Sequence, residues 1–265
     1  MFIVVAFPLV SLFAASFKTN SEIMTSPEKL FPKVPTLDNY RQAFSSEYFN
    51  VGRMLFNSIW FSTAMVIVSV FTASLSGYVF ARGRFRGKKL LFGIFSMLMF
   101  ISLGSITMYP TFKILSFFHL TTSLWGIIIQ SLFAIPIVNM YIVRGFVNSI
   151  PRDLDEAAKI DGVSFTGIFF RIIFPLLKPT LITIGMLAFN GSWNSYLYPA
   201  MFTMTKPEQQ TLIVGIMSLK NSSESATNWN LLFAATTIAL LPVLIVFLIG
   251  NQYITQGMTA GAVKG

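Results

Sequence analysis

Long apolar runs alternate with short charged segments along this chain. A helix needs about 20 mostly apolar residues to cross the hydrocarbon core of a bilayer. Stretches free of Asp, Glu, Lys and Arg are 1–17, 54–81, 90–112, 114–143, 179–205 and 225–263. The pattern predicts an all-α, polytopic membrane helical bundle forming one domain over residues 1–265. Its six predicted transmembrane helices are 1–17, 55–81, 90–112, 123–144, 179–203 and 229–250.

The first apolar stretch, 1–17, is shorter than the others and allows two interpretations. It is either a first span or a signal peptide ending at a cleavage-like Ala14-Ala15-Ser16. Signal peptides normally begin with a basic segment, and this stretch has none. The pattern therefore favours a membrane span.

Composition agrees with a membrane location. Hydrophobic residues make up 54% of the 265 residues and charged residues only 11%, against about 25% charged in soluble domains. The chain has no cysteine and a single histidine, His119, so disulfides and multi-histidine metal sites are excluded. The net charge of +9 is attributed to basic loops rather than to nucleic-acid binding.

A tight loop between the second and third predicted spans sets the orientation. Its basic residues are Arg82, Arg84, Arg86, Lys88 and Lys89. Cytoplasmic loops carry an excess of Lys and Arg, so this loop is predicted to be cytoplasmic. By alternation, loop 147–178 and the C-terminus are predicted to be cytoplasmic, and 18–53 and 204–228 to lie outside.

The six apolar stretches contain no carboxylate, lysine or arginine that could relay protons. The bundle is then either purely structural or driven by energy from another protein. Sodium coupling through carbonyl and hydroxyl oxygens stays an alternative.

Uncharged polar residues occur near the end of the fifth span. Asn190, Trp193 and Asn194 are spaced i, i+3, i+4 and share one helix face, and Tyr196 follows. Amides beside aromatic rings suit a sugar, so these four residues are candidates for a substrate pathway. The alternative is helix–helix packing and an interfacial aromatic belt.

Other polar and small residues favour structural roles. Gln130 and Asn139 in the fourth span are predicted to join helices. Ala73 and Gly77 in the second span form a small-xxx-small pair that permits close helix packing.

Segment 155–175 is a polar island between the fourth and fifth spans. Pro151 is predicted to open a helix, whose first turn holds Asp153, Asp155 and Glu156 near the positive end of the helix dipole. Ala157 and Ala158 leave this helix with little side-chain bulk.

A turn and a second helix follow. Gly162 is predicted to end the first helix with a positive φ angle. Ser164 is predicted to cap a second helix, which Pro175 bounds before the fifth span. A partner protein could seat the first helix in a groove, and the alternative is an amphipathic helix lying on the bilayer.

The pattern EAA-x₃-G-x₉-I-x-F-P in this island resembles the EAA loop of ABC-importer permeases, with Phe174 where Leu is usual. Further similarity to carbohydrate importers of the maltose-permease type, above all to the smaller six-span subunit, covers nearly the whole chain. It rests on Phe17-Lys18-Thr19, Pro35-Thr36, Asn39-Tyr40, Trp193-Asn194 and the final segment 257–265.

The resemblance implies how energy enters. Glu156, Ala157, Ala158 and Gly162 would lie in or beside a coupling helix that docks in an ATPase cleft. Two ATPase subunits would bind ATP and Mg, and this chain would bind no cofactor. It lacks the G-x-x-x-x-G-K-[ST] loop of P-loop ATPases and is therefore expected to be non-catalytic.

The resemblance also implies further partners: a second, homologous permease subunit and an extracytoplasmic sugar-binding protein. Thr211 and Lys220 would lie in a loop facing the binding protein, and Gly261 and Lys264 in a tail at the ATPase interface. In maltose importers the other permease holds most of the sugar.

The expected function is therefore the membrane-spanning subunit of an ABC importer for oligosaccharides in a bacterial or archaeal cytoplasmic membrane. A secondary carrier or channel is disfavoured by the uncharged spans, and a non-transporting scaffold by the EAA pattern.

Overall fold

A computed structural model describes residues 2–46, 49–101, 104–221 and 228–262. The described residues are helical or irregular, with no strand among them. The α-helices are α1 (Phe2–Ala15), α2 (Asn20–Thr25), α3 (Asp38–Ser45), α4 (Val51–Arg82), α5 (Lys88–Leu98), α6 (Met108–Phe117), α7 (Leu124–Phe133), α8 (Ile137–Ser149), α9 (Asp153–Ile160), α10 (Phe165–Ile168), α11 (Phe174–Leu176), α12 (Lys178–Trp193), α13 (Leu197–Thr203), α14 (Leu212–Asn221) and α15 (Trp229–Ala262). Short 3₁₀-helices span Gly104–Thr107 and Pro207–Gln209, and a π-helix spans Phe169–Ile173.

Two helices in the described part of the chain are long and apolar enough to cross a membrane by themselves: Val51–Arg82 and Trp229–Asn251. Two more spans are formed if each of two bent helix pairs counts as one. The pair α7 and α8 bends by 43° at Pro136, which has no N–H to continue the helix. These helices make the chain a multi-pass membrane protein, while six spans remain a prediction.

The first and third predicted spans differ from long single helices. The apolar helix at the N-terminal end covers Ala6–Ala15 among the residues searched. The 90–112 stretch contains α5, the 3₁₀-helix Gly104–Thr107 and the start of α6. Glycine at position 104 has a φ angle of 50°, which an α-helix cannot accommodate, so the apolar run does not form one continuous helix.

The chain divides into two compact units. One comprises residues 1–61, 121–124 and 193–246, and the other comprises 62–120, 125–192 and 247–265. The first unit packs α3, the start of α4, α14 and α15 around a core. Its buried apolar residues are Ala43, Phe49, Val51, Met54, Leu212, Ile216, Ala235, Ile238 and Ala239.

Polar side chains also hold the first unit together. Asn39 is 2% exposed and donates to the carbonyl oxygens of Ser16 and Lys18, each at 2.8 Å. Its own carbonyl oxygen accepts from Asn230 Nδ2 at 2.8 Å. One amide therefore joins α3, the end of α1 and α15, and satisfies its own hydrogen-bonding groups.

The second unit packs the C-terminal part of α4 against α8, α9 and the helices that follow. Gly77 of α4 faces Val143 of α8 so closely that an added Cβ would lie 2.5 Å from Val143 Cγ1. Close packing at this small-xxx-small pair is therefore confirmed for Gly77. Asn139 Nδ2 donates to Ser69 Oγ at 3.1 Å, which confirms a structural role for Asn139.

Candidate functional site

The candidate site is the segment from α9 to α12, which contains the EAA pattern. The first helix begins at Asp153, two residues after Pro151, so Pro151 precedes the helix rather than opening it. Arg152 is in the αR conformation and makes no side-chain capping bond. The first turn has three acidic residues, as the dipole argument expects.

A Schellman motif ends α9. Gly162 has a φ angle of 75°, its N–H donates to Lys159 O at 3.0 Å, and Val163 N–H donates to Ala158 O at 2.9 Å. These are the two backbone bonds that define the motif. The predicted positive φ at Gly162 is confirmed.

The second helix begins as predicted, with Ser164 as its N-cap accepting from Gly167 N–H at 3.1 Å. It continues through a π-helical turn, in which Phe174 N–H donates to Phe169 O. Pro175 lies inside α11, so the helix runs one residue past the predicted end, to Leu176. The axis then turns by 79° into α12.

The two faces of α9 differ in exposure. Glu156 and Ala157 are exposed, whereas Asp155 and Ala158 are 6% and 5% exposed. Because residues three apart share a helix face, Asp155 and Ala158 form one inward face. The outward face adds two apolar residues to Glu156 and Ala157: Leu154 and Ile160, which are 44% and 87% exposed.

The inward face of α9 is held by a buried ion pair. Arg82, the last residue of α4, places Nε 2.6 Å from Asp155 Oδ2, and less than a tenth of either side chain is exposed. The N–H is not aimed as in a hydrogen bond, so the contact is electrostatic. A second guanidinium nitrogen, Nη2, donates to Ile150 O at 2.6 Å.

The sequence pattern does not single out this pair. It indicates only that Arg82 belongs to the basic loop and that Asp155 is an acid near a helix N-terminus. The one indication in the sequence of a buried Asp155 is that it precedes the small residue Ala158 by three positions, which puts both on one helix face. Its partner Arg82 lies 73 positions earlier in the sequence. Nothing in the sequence distinguishes Arg82 from the other four basic residues of its loop.

A cleft of about 60 Å³ opens beside the ion pair. It is lined by Tyr78, Arg82, Arg84, Arg152, Asp155, Glu156, Lys159, Phe165 and Ile168. Three of the lining residues, Arg84, Arg152 and Lys159, are exposed cations. The surface of the cleft is therefore positively charged. It surrounds the buried ion pair of Arg82 and Asp155, whose charges neutralise each other.

Lys88 lies in the same basic region, just after α4. Its Nζ donates to the carbonyl oxygens of Gly83 at 2.9 Å and Ala81 at 3.3 Å, which satisfies carbonyl groups at the end of α4. Burial lowers the pKa of Lys88, and the positive charges of Arg144 and Arg152 lower it further.

The predicted fifth span, 179–203, is not one helix: α12 ends at Trp193, so Asn194 lies just beyond it and does not share its face as predicted. Asn190 and Asn194 are exposed, and Tyr196 is partly buried. Trp193, the last residue of α12, is 2% exposed, and its Nε1 donates to Ala239 O at 3.2 Å. A role for these residues in binding sugar stays a prediction.

The remaining candidates lie in two other segments. Thr211 is 2% exposed, and Lys220 is exposed near the end of α14. Gly261 lies in α15, close to its last residue, Ala262, and Lys264 lies outside the described residues.

A side-chain network, which sequence analysis did not single out, positions the segment before α14. Asn57 Nδ2 of α4 donates to Glu208 O at 2.9 Å and to Gln210 O at 3.0 Å. One residue later, Ser58 Oγ accepts from Leu212 N–H at 2.7 Å. Two adjacent α4 residues therefore anchor the start of α14.

Comparison with known proteins places this helical arrangement in a family. The sequence-family model named "binding-protein-dependent transport system inner membrane component" matches residues 2–260 of this chain. The arabinooligosaccharides transport system permease protein AraQ of Bacillus subtilis is 34% identical, covering 98% of this chain and 90% of AraQ. The galactooligosaccharides transport system permease protein GanQ of the same organism is 33% identical, covering 100% and 92%.

A solved structure shares the fold. The crystal structure of a bacterial ABC transporter involved in the import of the acidic polysaccharide alginate contains a chain with a TM-score of 0.81 to this one. The match covers 95% of this chain and 91% of that chain at 22% identity, which establishes similarity of fold. On the match over nearly its full length, the chain belongs to the family of binding-protein-dependent transport system inner membrane components, the non-catalytic permease subunits of ABC importers.

Proposed function

We propose that this chain is the membrane-spanning subunit of an ATP-driven ABC importer for oligosaccharides and forms half of the translocation pathway. Family membership supports the importer, and the names of AraQ and GanQ support oligosaccharides as the cargo class. The observation that carries the proposal is the two-faced helix α9, with an exposed outward face and an anchored inward face.

The outward face of α9 suits a groove in an ATPase subunit. Glu156 and Ala157 are exposed beside Ile160, which is 87% exposed. Amphipathic helices commonly bind by laying such a face into an apolar groove. The buried Ala158 packs on the inward face of α9, and Gly162 ends the helix in a tight turn. A short helix is therefore presented to the partner.

The importer requires other subunits. Two ATPase subunits would hold ATP and Mg, because this chain carries no G-x-x-x-x-G-K-[ST] loop. A binding protein would deliver the sugar from outside, and a second, homologous permease would complete the pathway within the bilayer. Six spans, with loop 147–178 and the C-terminus in the cytoplasm, put α9 on the ATPase side.

Sugar contacts are proposed for the region around the end of α12. The exposed amides of Asn190 and Asn194 would bond sugar hydroxyls, and Tyr196 would supply an aromatic surface. The buried Trp193 would contribute to the sugar site by fixing the position of the backbone at the end of α12.

Contacts with soluble partners are proposed at two other places. Lys220, exposed near the end of α14, would contact the binding protein, and the buried Thr211 would shape the approach to that helix. Gly261 and Lys264 would belong to a tail that reaches the ATPase interface.

The experiment is a charge reversal on the outward face of α9. Glu156→Lys should reduce co-purification of the ATPase subunits with the tagged chain and abolish binding-protein-stimulated ATP hydrolysis, while insertion into the membrane is unchanged. Glu28→Lys is the matched control, since it reverses an exposed acid in the other predicted outer loop, 18–53. Retention of both ATPase binding and stimulated hydrolysis by Glu156→Lys would contradict the coupling role.

A second measurement distinguishes an importer subunit from a secondary carrier. The chain alone, reconstituted in vesicles, should move neither arabinooligosaccharides nor galactooligosaccharides under a proton or sodium gradient. Gradient-driven uptake by the lone chain would replace the importer proposal with the carrier.

A further inference from the structure

The last turns of α4 contact the EAA segment on both sides of α9. Tyr78 and Arg82 are four residues apart, so they share one face of α4. Arg82 contacts Ile150, before α9, and Asp155, within α9. Tyr78 contacts the helices that follow α9, at Phe165 and Phe169.

Tyr78 is 2% exposed, and its hydroxyl donates to Phe165 O at 3.1 Å. The ring centroid of Tyr78 lies 4.5 Å from that of Phe165 and 5.1 Å from that of Phe169. Aromatic rings at these separations attract one another beyond the effect of burial alone. The Tyr78 side chain therefore joins α4 to the start of the second helix by a hydrogen bond and two ring contacts.

Arg82 provides the complementary contact. Its guanidinium bonds Ile150 O and pairs with Asp155, and both charged side chains are withdrawn from water. An ion pair in such a site is screened little by solvent, and either charge is costly to leave alone. Asp155 therefore cannot leave Arg82 without exposing an uncompensated charge, which keeps the inward face of α9 against α4.

We infer that Tyr78, Arg82 and Asp155 form a clamp that makes α9 and the end of α4 move as one body, so that displacement of α9 is transmitted to this span. This inference rests on the proposed function, because it assigns positioning residues to the same coupling helix. Glu156 and Ala157 contact the ATPase in this arrangement, and Asp155 acts on the opposite face through Arg82.

The clamp predicts a specific uncoupling. Asp155→Asn keeps the shape of the side chain and removes its charge. In the complete complex with its partner permease, ATPases and binding protein, ATPase co-purification should stay at the wild-type level. Oligosaccharide transported per ATP hydrolysed should fall by about tenfold, within the range of typical coupling between sites. The probe is whichever of the arabinooligosaccharides and galactooligosaccharides stimulates wild-type hydrolysis most strongly.

The matched control is Asp153→Asn, which removes an exposed acid from the same helix and should leave the transport-to-hydrolysis ratio unchanged. Asp155→Glu, which keeps the charge, should restore most of the ratio. A proportional loss of transport and hydrolysis in Asp155→Asn, or no loss, overturns the clamp. Failure of the wild-type complex to bind ATPase would instead refute the proposed function.

A covalent replacement of the ion pair separates transmission from folding. Because the chain contains no cysteine, Arg82→Cys/Asp155→Cys introduces a unique thiol pair. The reduced variant should be uncoupled, and bridging the thiols with a short bifunctional reagent after folding should restore transport per ATP. Loss of all transport on bridging would show that the two residues must separate. Full coupling before bridging, or no change after it, would equally overturn the clamp.

Discussion

The indole nitrogen of Trp193, at the end of α12, donates a 3.2 Å hydrogen bond to the carbonyl oxygen of Ala239 in α15. Trp193 is 2% exposed and Ala239 is 6% exposed. A tryptophan that the sequence pattern assigns to a substrate pathway thus makes a buried contact between helices. Buried indole N–H groups normally find such a partner.

Trp193→Phe should therefore lower the stability of the protein more than it alters sugar binding. Losing the donor leaves a buried carbonyl without this bond, which costs about 1–3 kcal/mol. Thermal unfolding of the purified chain in detergent measures the effect. Trp125→Phe, at a site that is 57% exposed, is the control and should unfold near the wild-type temperature. Asn194→Ala should instead reduce transport with little change in stability, and equal unfolding temperatures for the two tryptophan variants would contradict the packing role.

Gly162→Ala should destabilise the turn after α9 through its backbone alone. The φ angle is 75°, and a Cβ at this position would meet no atom within 4 Å. The left-handed conformation costs a residue with a Cβ about 1–2 kcal/mol. Gly145→Ala is the control, because that glycine also has open space around it but lies inside α8 with no positive φ.

Since alanine favours helices, the Gly145→Ala variant should be as stable as wild type or more stable. Unfolding temperature and ATPase co-purification should both fall only in Gly162→Ala. Equal stability of the two variants would refute the role assigned to the turn.

Gly77→Ala should separate α4 from α8. An added Cβ would lie 2.5 Å from Val143 Cγ1 and 3.1 Å from the backbone nitrogen of Arg144, so the helices must move apart. Overpacking of this kind costs about 1–3 kcal/mol. Gly185→Ala, whose Cβ would meet Val66 at an ordinary 3.4 Å, should be tolerated.

The double variant Gly77→Ala/Val143→Gly tests the contact directly, because the added Cβ would lie 2.5 Å from Val143 Cγ1 and 2.6 Å from Val143 Cβ. Removing the whole valine side chain should recover part of the lost stability, giving a coupling energy of about 0.5–3 kcal/mol in a double-mutant cycle. Strictly additive effects of the two substitutions would show that the clash is elsewhere.

Ser58→Ala should loosen the segment that leads into α14. Ser58 Oγ accepts from Leu212 N–H at 2.7 Å, and Leu212 is fully buried, so the substitution leaves a buried donor unpaired at a cost of about 1–3 kcal/mol. Proteolysis of the chain near residue 206 should accelerate, and stimulation of ATP hydrolysis by the binding protein should weaken.

Ser62→Ala is the control for this prediction. Ser62 lies one helical turn further along α4 and is equally buried, but its hydroxyl makes no hydrogen bond to the residues that the structure describes. Its substitution should change stability by less than that of Ser58. A larger loss in Ser62→Ala would contradict the assignment of the Leu212 bond.

Local rules predicted the EAA segment well. The positive φ of Gly162 and the N-cap at Ser164 follow from short-range backbone and side-chain chemistry. The ends of the helices were less accurate: α9 begins two residues after Pro151, and α11 includes Pro175. A proline tolerated in a first turn does not need to mark the boundary itself.

The membrane class and the turn after α9 could be predicted from the amino-acid sequence, because they depend on apolar length and on interactions within a few residues. Tertiary structure alone decided which basic residue pairs with Asp155, which side chain Gly77 admits, and which carbonyl Trp193 reaches. It also decided the 79° angle between the helix that ends at Leu176 and α12. These contacts join residues that are 46 to 73 positions apart in the sequence, and partner choice over such distances is made by packing, which periodicity does not encode.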